Sequence, residues 1–267
     1  SDLSAGLNFM TYAAGSTWMG AHFVKAFGER HTMAVGAQYM NYGKMDETDE
    51  AGNTLGQFSA KDIVIGAGYS YLLSDRWTGG ANLKMMVSNL ADYTALAAAI
   101  DVGVNYYDDE NDLSVSASLQ NIGTQLKAYH DGQRTHLPFT LALGFSKGMA
   151  HLPVRFHVTM TDVTRWKSSY YVLPENKDKD KSDKVGFGKI ALNHFVLGLD
   201  ILPTDYLYLS VGYNFRRAYE LKASGSSHLA GLSAGAGVNV KHFKFGVSYA
   251  KYHQASNSIM ANVGYAF

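Results

Sequence analysis

The last ten residues, Ser258-Ile259-Met260-Ala261-Asn262-Val263-Gly264-Tyr265-Ala266-Phe267, decide how the whole chain is read. Side chains of a strand alternate between two faces. Ile259, Ala261, Val263, Tyr265 and Phe267 therefore share one face. Ser258, Met260, Asn262, Gly264 and Ala266 share the other, which is mostly small or polar. In water the apolar face would need a protein core; in a membrane barrel it faces lipid.

The pattern repeats upstream. Phe243, Phe245, Val247 and Tyr249 oppose His242, Lys244, Gly246 and Ser248. Leu207, Leu209, Val211, Tyr213 and Phe215 oppose Tyr208, Ser210, Gly212, Asn214 and Arg216. Val154, Phe156, Val158 and Met160 oppose Arg155, His157, Thr159 and Thr161. Roughly fourteen such segments of about ten residues can be laid out, the length that crosses a bilayer when tilted. They begin near Leu3, Trp18, Thr32, Asp62, Trp77, Tyr93, Leu113, His136, Pro153, Ala191, Tyr206, Leu229, His242 and Ser258. Ser16 to Phe27 and Trp77 to Ser88 alternate poorly, so the count is open by two. The fold class expected is all-β: one transmembrane antiparallel β-barrel of about 14 strands spanning residues 1–267.

Connection lengths support a barrel. Short turns are expected at Gly28 to His31, Ser74 to Arg76, Asp108 to Asn111, Gly148 to His151, Pro203 to Asp205 and Lys241-His242. Long connections are expected at Gly43 to Ala60, Gly123 to Thr135, Asp162 to Lys189 and Ala218 to Ser227, on alternate positions. Transmembrane barrels sort their loops this way, with short periplasmic turns and longer outside loops. Both termini are then expected on the periplasmic side of a bacterial outer membrane. Tyr69, Tyr71, Tyr106, Tyr107, Tyr206, Tyr208, Tyr265 and Phe267 are expected to form aromatic girdles at the lipid–water boundaries.

Composition agrees. No apolar run approaches the ~20 residues of a membrane helix. There are 27 Gly and 18 Tyr but only 4 Pro, a balance that favours strands over helices. The 23 basic residues balance the 23 acidic ones, which argues against a nucleic-acid surface. With no cysteine, disulfides, thiolate metal sites and thiol catalysis are excluded.

Motifs of chemistry are sparse. No zinc-protease helix, phosphate loop or dinucleotide fingerprint occurs. The pairs His130/His136 and His151/His157 are too widely spaced for one metal ion, and no metal or cofactor is expected. His157, His194, Asp101 and Asp200 take the lumen register. Their expected role is a self-satisfied polar interior, because buried charges are paired. No enzymatic activity is expected. Small residues on the lumen face imply either close packing against something inside or an open channel. Candidate partner contacts lie on the long connections: Asp46, Asp49, Glu50, Tyr129, Arg134, Lys177, Lys179, Lys181, Lys184, Tyr219 and Lys222. Among them, Lys177 to Lys184 alternate in sign with aspartates, as a solvated loop does.

Four stretches carry a family resemblance: Leu113 to Tyr129, Leu137 to Phe156, Leu199 to Leu221 and Gly231 to His253. Asn121-Ile122-Gly123, the Leu-Pro pairs at Leu137 and Leu152, and Gly212-Tyr213-Asn214 followed by Arg216, Arg217 and Glu220 are the most specific. Together they resemble the PorV/PorQ family, FadL-like outer-membrane barrels of the type IX secretion system in Bacteroidetes, and its PorQ type in particular. The resemblance implies a non-catalytic membrane anchor of the attachment complex. That anchor would hold a PorZ-like surface protein alongside the PorU sortase and PorV, with outer-membrane lipid around it. It also implies an N-terminal hatch segment ahead of the first strand; the chain opens at the strand itself, so that segment is expected to be missing. The alternative implied by the wider FadL-like group is transport of hydrophobic small molecules. That role needs an apolar pocket near the outer mouth and a lateral opening where a strand kinks.

Overall fold

The computed structural model describes residues 2–12, 15–129, 137–167, 185–220, 230–253 and 256–267. Its strands are β1 (Leu3–Thr11), β2 (Thr17–Phe27), β3 (His31–Thr48), β4 (Thr54–Leu72), β5 (Trp77–Leu90), β6 (Tyr93–Asp108) and β7 (Leu113–Lys127). They continue with β8 (Thr140–Gly148), β9 (Val154–Met160), β10 (Phe195–Thr204), β11 (Leu207–Asn214), β12 (Leu232–Val240), β13 (Phe243–His253) and β14 (Ser256–Ala266). Two short helices, α1 (Phe187–Asn193) and α2 (Phe215–Glu220), lie between β9 and β12.

Every strand pairs antiparallel with its chain neighbour, and β14 pairs with β1, so the sheet closes into a 14-stranded barrel. Closure leaves no edge and satisfies the backbone between strands, which a bilayer demands. The closing seam runs from Ser4↔Ala266 to Met10↔Met260, so the terminal stretch that opened the sequence reading is the last stave.

The packing is inverted relative to a water-soluble protein. Among the described residues, buried apolar side chains are few and mostly alanines: Ala60, Ala95, Ala97, Ala99 and Ala230, with Val185 and Ile190. Large apolar side chains point outward instead, among them Leu7, Val35, Ile65, Val211 and Val247. Such a surface is stable only in lipid. No helix of the described residues is long and apolar enough to cross a membrane; the strands do the crossing.

The connections sort onto two rims. Six tight turns and both chain ends occupy one rim, where Phe267 N–H donates to the Leu3 carbonyl at 3.0 Å. The four expected long connections fall on the other rim, but their character differs from expectation. Gly43 to Ala60 is not a loop. After a register shift between Asn41 and Lys44, β3 and β4 keep pairing from Lys44↔Ser59 to Thr48↔Thr54, a two-stranded extension turning at Asp49 to Asn53. β7 likewise continues to Lys127. Ala191 lies in α1, and the strand expected there starts at Phe195. β5 and β6 join through Ala91 and Asp92 alone, so the long-loop rim also carries a tight turn. Backbone pairing set these boundaries, and hydropathy does not record it.

The aromatic girdle is concentrated at the short-turn rim. Trp77 meets Tyr106 at 5.2 Å between ring centroids, Phe243 meets Tyr265 at 4.9 Å, and Tyr265 meets Phe267 at 4.8 Å. Two expected members depart: Tyr107 pairs with Ser114 and Tyr208 with Gly237, both on the lumen register.

Candidate functional site: the barrel interior and its mouth

Glycines face each other across the interior wall at Gly6↔Gly264, Gly36↔Gly66, Gly80↔Gly103, Gly198↔Gly212 and Gly237↔Gly246. Bare backbone lets neighbouring side chains lie flat rather than project inward. The Trp18 ring lies over Gly20, where a Cβ would come within 2.8 Å of Cη2. Tyr208 covers both Gly237 and Gly246.

Two stretches of the wall are tied by charge. On β5 to β7, Lys84 Nζ sits 2.8 Å from Asp101, and Asn82 Nδ2 donates to the same carboxylate at 3.2 Å. Asn121 stands at a β-bulge with φ of 59°; its N–H donates to Asp101 at 2.9 Å and its side-chain oxygen accepts from Lys84 at 2.8 Å. On β9 to β11, His157 Nε2 lies 2.8 Å from Asp200, and Ser210 Oγ donates to Asp200 at 2.6 Å. Nearby, Arg155 pairs with Asp112 at 2.7 Å.

Three of the four expected lumen residues, Asp101, His157 and Asp200, are thus in polar networks. His194 extends the β9–β10 ladder by one pair beyond Phe195↔Met160, its carbonyl accepting from the Thr161 N–H at 2.8 Å, and so keeps the lumen register at the long-loop end. It caps α1, is 1% exposed, has Nδ1 2.7 Å from the Thr161 carbonyl oxygen and packs on Trp166 at 4.4 Å. Ser210, Asp200 and His157 resemble a hydrolytic triad only in composition. Serine and histidine both contact the aspartate, so the imidazole is not placed to take the serine proton. No group of three metal-ligating side chains occurs among the described residues, and His130 and His136 lie outside them.

The wall of β14, β1, β2 and β3 differs. At the long-loop mouth an apolar row crosses it: Met260↔Met10↔Trp18↔Met40. One layer further in, Val64 pairs with Met86. All occupy the lumen register. Apolar residues on both faces are why β2 and β5 alternate poorly in sequence, so the missed signal was present as an irregularity. Beside Met40 stands a hydrogen-bond chain: Tyr42 Oη donates to Asp62 at 2.7 Å, Ser88 Oγ donates to the other Asp62 oxygen, and Tyr129 Oη donates to Ser88.

Below the row the wall is thin. Ala5-Gly6, Gly20-Ala21, Gly36-Ala37 and Gly66-Ala67-Gly68 put small side chains on both faces of β1 to β4. A hollow of about 220 Å³ lies inside, bounded by Trp18, Gly20, His22, Gly36, Gly66 and Lys84. Two lie on the lipid side over Ala21 and Ala37, of about 820 and 600 Å³, walled by Leu7, Phe23, Val35 and Ile63. A further interior hollow of about 450 Å³ continues toward the short-turn rim past Ser70, Thr78 and Asn105. The panel carries no gap: β2 pairs with β3 from Thr17↔Asn41 to Phe27↔His31 without a register shift.

The expected partner contacts divide. Asp46 accepts from Gln57 at 2.9 Å within the hairpin extension, and Glu50 is exposed at its tip. Asp49 is spent on the turn, accepting from the Ala51 and Asn53 N–H groups and the Asn53 side chain at 2.7 to 2.9 Å. Those donors, the Asn53 side chain first, hold its carboxyl below the usual range. Tyr129 turns into the mouth. Tyr219 packs on Val185 and Ile190 with Lys189 Nζ 4.9 Å from its ring, and burial raises its phenol pKa. Arg134, Lys177, Lys179, Lys181, Lys184 and Lys222 lie outside the described residues. Around Tyr219, Arg216 reaches Asp162 at 3.1 Å and Glu220 at 3.0 Å, making α1, α2 and the start of the β9–β10 connection one ordered cap.

No family model matches the chain, and no curated protein matches it. Solved structures do match its fold. The toluene transporter TodX of Pseudomonas putida aligns over 98% of this chain and 88% of its own, at TM-score 0.60 and 12% identity. The toluene transporter TbuX of Ralstonia pickettii aligns over 98% and 87%, at 0.56 and 12%. A FadL homologue of Pseudomonas aeruginosa aligns over 98% and 89%, at 0.55 and 10%. At these identities the likeness is one of fold: a 14-stranded, FadL-like barrel of the outer-membrane type.

Proposed function

We propose that this barrel admits hydrophobic small molecules across the outer membrane. The observation that carries the reading is the apolar row Met260–Met10–Trp18–Met40 at the long-loop mouth, placed directly above the thinnest part of the wall. A hydrophobic solute leaves water onto the row and then meets backbone backed by an apolar hollow on the lipid side. The TodX, TbuX and FadL-homologue barrels, described as transporters or of that lineage, share the architecture and support the reading by analogy of fold. With the panel's hydrogen bonds intact the wall is closed, so passage into lipid needs local opening between β1 and β4. The long-loop rim faces outside and both termini face the periplasm in this reading.

The test is uptake of a labelled aromatic hydrocarbon by a Gram-negative host stripped of its own hydrophobic channels. Expression of this chain should raise uptake well above the empty host. Ala37→Trp, which fills the lipid-side hollow, should return it toward background while the barrel keeps its heat-modifiable gel mobility. Uptake equal to the empty host would overturn the reading.

A second reading follows the PorV/PorQ resemblance: a surface anchor for a PorZ-like protein with PorU and PorV. It is favoured by the ordered relief of the long-loop rim, namely the β3–β4 extension and the α1–α2 cap. Deleting the extension beyond Lys44 and Ser59 leaves the barrel pairing intact. Loss of a large surface protein from native-membrane pull-downs on that deletion supports the anchor; unchanged recovery after this and a cap deletion counts against it.

A further inference from the structure

Of the carboxylates bonded into the barrel interior, Asp62 stands apart. Asp101 has Lys84, Asp112 has Arg155 and Asp200 has His157, whereas Asp62 belongs to no ion pair among the described residues. Among the described residues its side-chain bonds come from hydroxyls, and their direction is informative. Tyr42 and Ser88 each donate their proton to Asp62, one to each oxygen, and Tyr129 donates to Ser88. A hydroxyl has one proton to give. All three are spent within the chain, so the cluster offers an incoming group only lone pairs and a negative charge. Asp62 is partly buried and directly opposite Met40, which in turn faces Trp18. An acceptor-only anionic end therefore adjoins an apolar, aromatic bed.

We propose that the mouth selects amphiphiles with a cationic, hydrogen-bond-donating head, alkyl- or arylammonium in type, whose apolar body lies on Met40 and Trp18. The head donates to Asp62 and to the free lone pairs of the Tyr42 and Tyr129 oxygens, and gains cation–π attraction from those rings. A carboxylate head meets like charge and no donor. A hydroxyl head, with a single proton, ranks between them. The inference deepens the transport reading and rests on its mouth pocket.

Three bromine-tagged probes of equal chain length test it: dodecylammonium, dodecanol and dodecanoate. The full chain is placed in lipid nanodiscs with Trp77→Phe and Trp166→Phe, leaving Trp18 as the sole tryptophan. Trp77 faces lipid, so its removal eliminates quenching by probe dissolved in the bilayer. The expected result is saturable quenching of Trp18 in the order ammonium, alcohol, carboxylate, with ammonium binding about tenfold tighter than alcohol. Asp62→Asn should bring ammonium and alcohol to within about twofold of each other while alcohol quenching persists. Equal quenching by all three, or preference for the carboxylate, overturns the head selectivity and leaves the pocket standing. If none quenches Trp18 saturably, the pocket itself is wrong and the inference falls with it. The rank order in the unsubstituted mouth decides the matter even if Asp62→Asn does not assemble.

Discussion

The panel of β1 to β4 and the sector of β8 to β12 are built from the same alternating strands, yet they are stiffened differently. In the second sector the lumen face carries His157, Asp200, Ser210 and Arg155 in bonded networks, and the α1–α2 cap lies at its long-loop end. Among the described residues no ion pair lies within β1 to β4, and small side chains occupy both of its faces at mid-height. Polar networks fix a geometry because each member left unpaired is costly. A panel whose side-chain hydrogen bonds, His31–Tyr69 and Tyr42–Asp62 among them, lie toward its two ends, with hollows on either side at mid-height, has fewer contacts to break there when it deforms. The contrast teaches that one closed sheet contains a strut and, on the transport reading proposed above, a shutter.

The largest test addresses what the two regions share. Val35 in the panel and Val211 in the braced sector both face lipid, and an arginine at either should cost ~2–4 kcal/mol near the midplane. Unfolding in lipid vesicles with urea measures this. A cost confined to one of them would mean that the other does not face lipid. The next effect separates the regions. Asp200→Ala strands His157 and Ser210 and should destabilise by about 1–3 kcal/mol. Gln38→Ala, on the lumen register of the panel, should stay within about 0.5 kcal/mol. Equal costs would erase the distinction between strut and shutter. Uptake should respond the opposite way, falling with Ala37→Trp and holding with Asp200→Ala.

The smallest effect lies outside the bilayer, at the tip of the β3–β4 extension. The Asp49 carboxyl is held below its ordinary value by the Asn53 and Ala51 donors. A group with a depressed folded pKa supports the fold above its unfolded pKa and loses that support as pH falls through the folded value. Protection of the Asn53 amide, taken relative to its intrinsic exchange rate, should therefore fall on acidification below about pH 4, and Asp49→Asn should flatten that dependence. Protection that is equally pH-dependent in both would remove Asp49 from the turn. The barrel pairing should not respond, because the extension begins beyond the Asn41–Lys44 register shift.

What the sequence by itself determined was the class of object. Period-two alternation from Leu3 to Phe267 made a lipid-facing barrel of about fourteen strands legible, because each strand crosses the same apolar slab and must repeat the same pattern. It also located Asp101, His157 and Asp200 on the inner face, since register parity is a local property. Tertiary structure decided what the inner face does. Trp18, Met40 and Asp62 are separated by about twenty residues at each step along the chain. They become neighbours only when β2, β3 and β4 pair in register. Tyr129 reads as a loop tyrosine until the bulge at Asn121 and the run to Lys127 carry it over Ser88. His194 reads as a lumen residue, and only the fold shows that it also caps α1 and packs on Trp166. Hydropathy records which side of a strand a residue takes, and only hydrogen-bond register between strands records which residues it meets there.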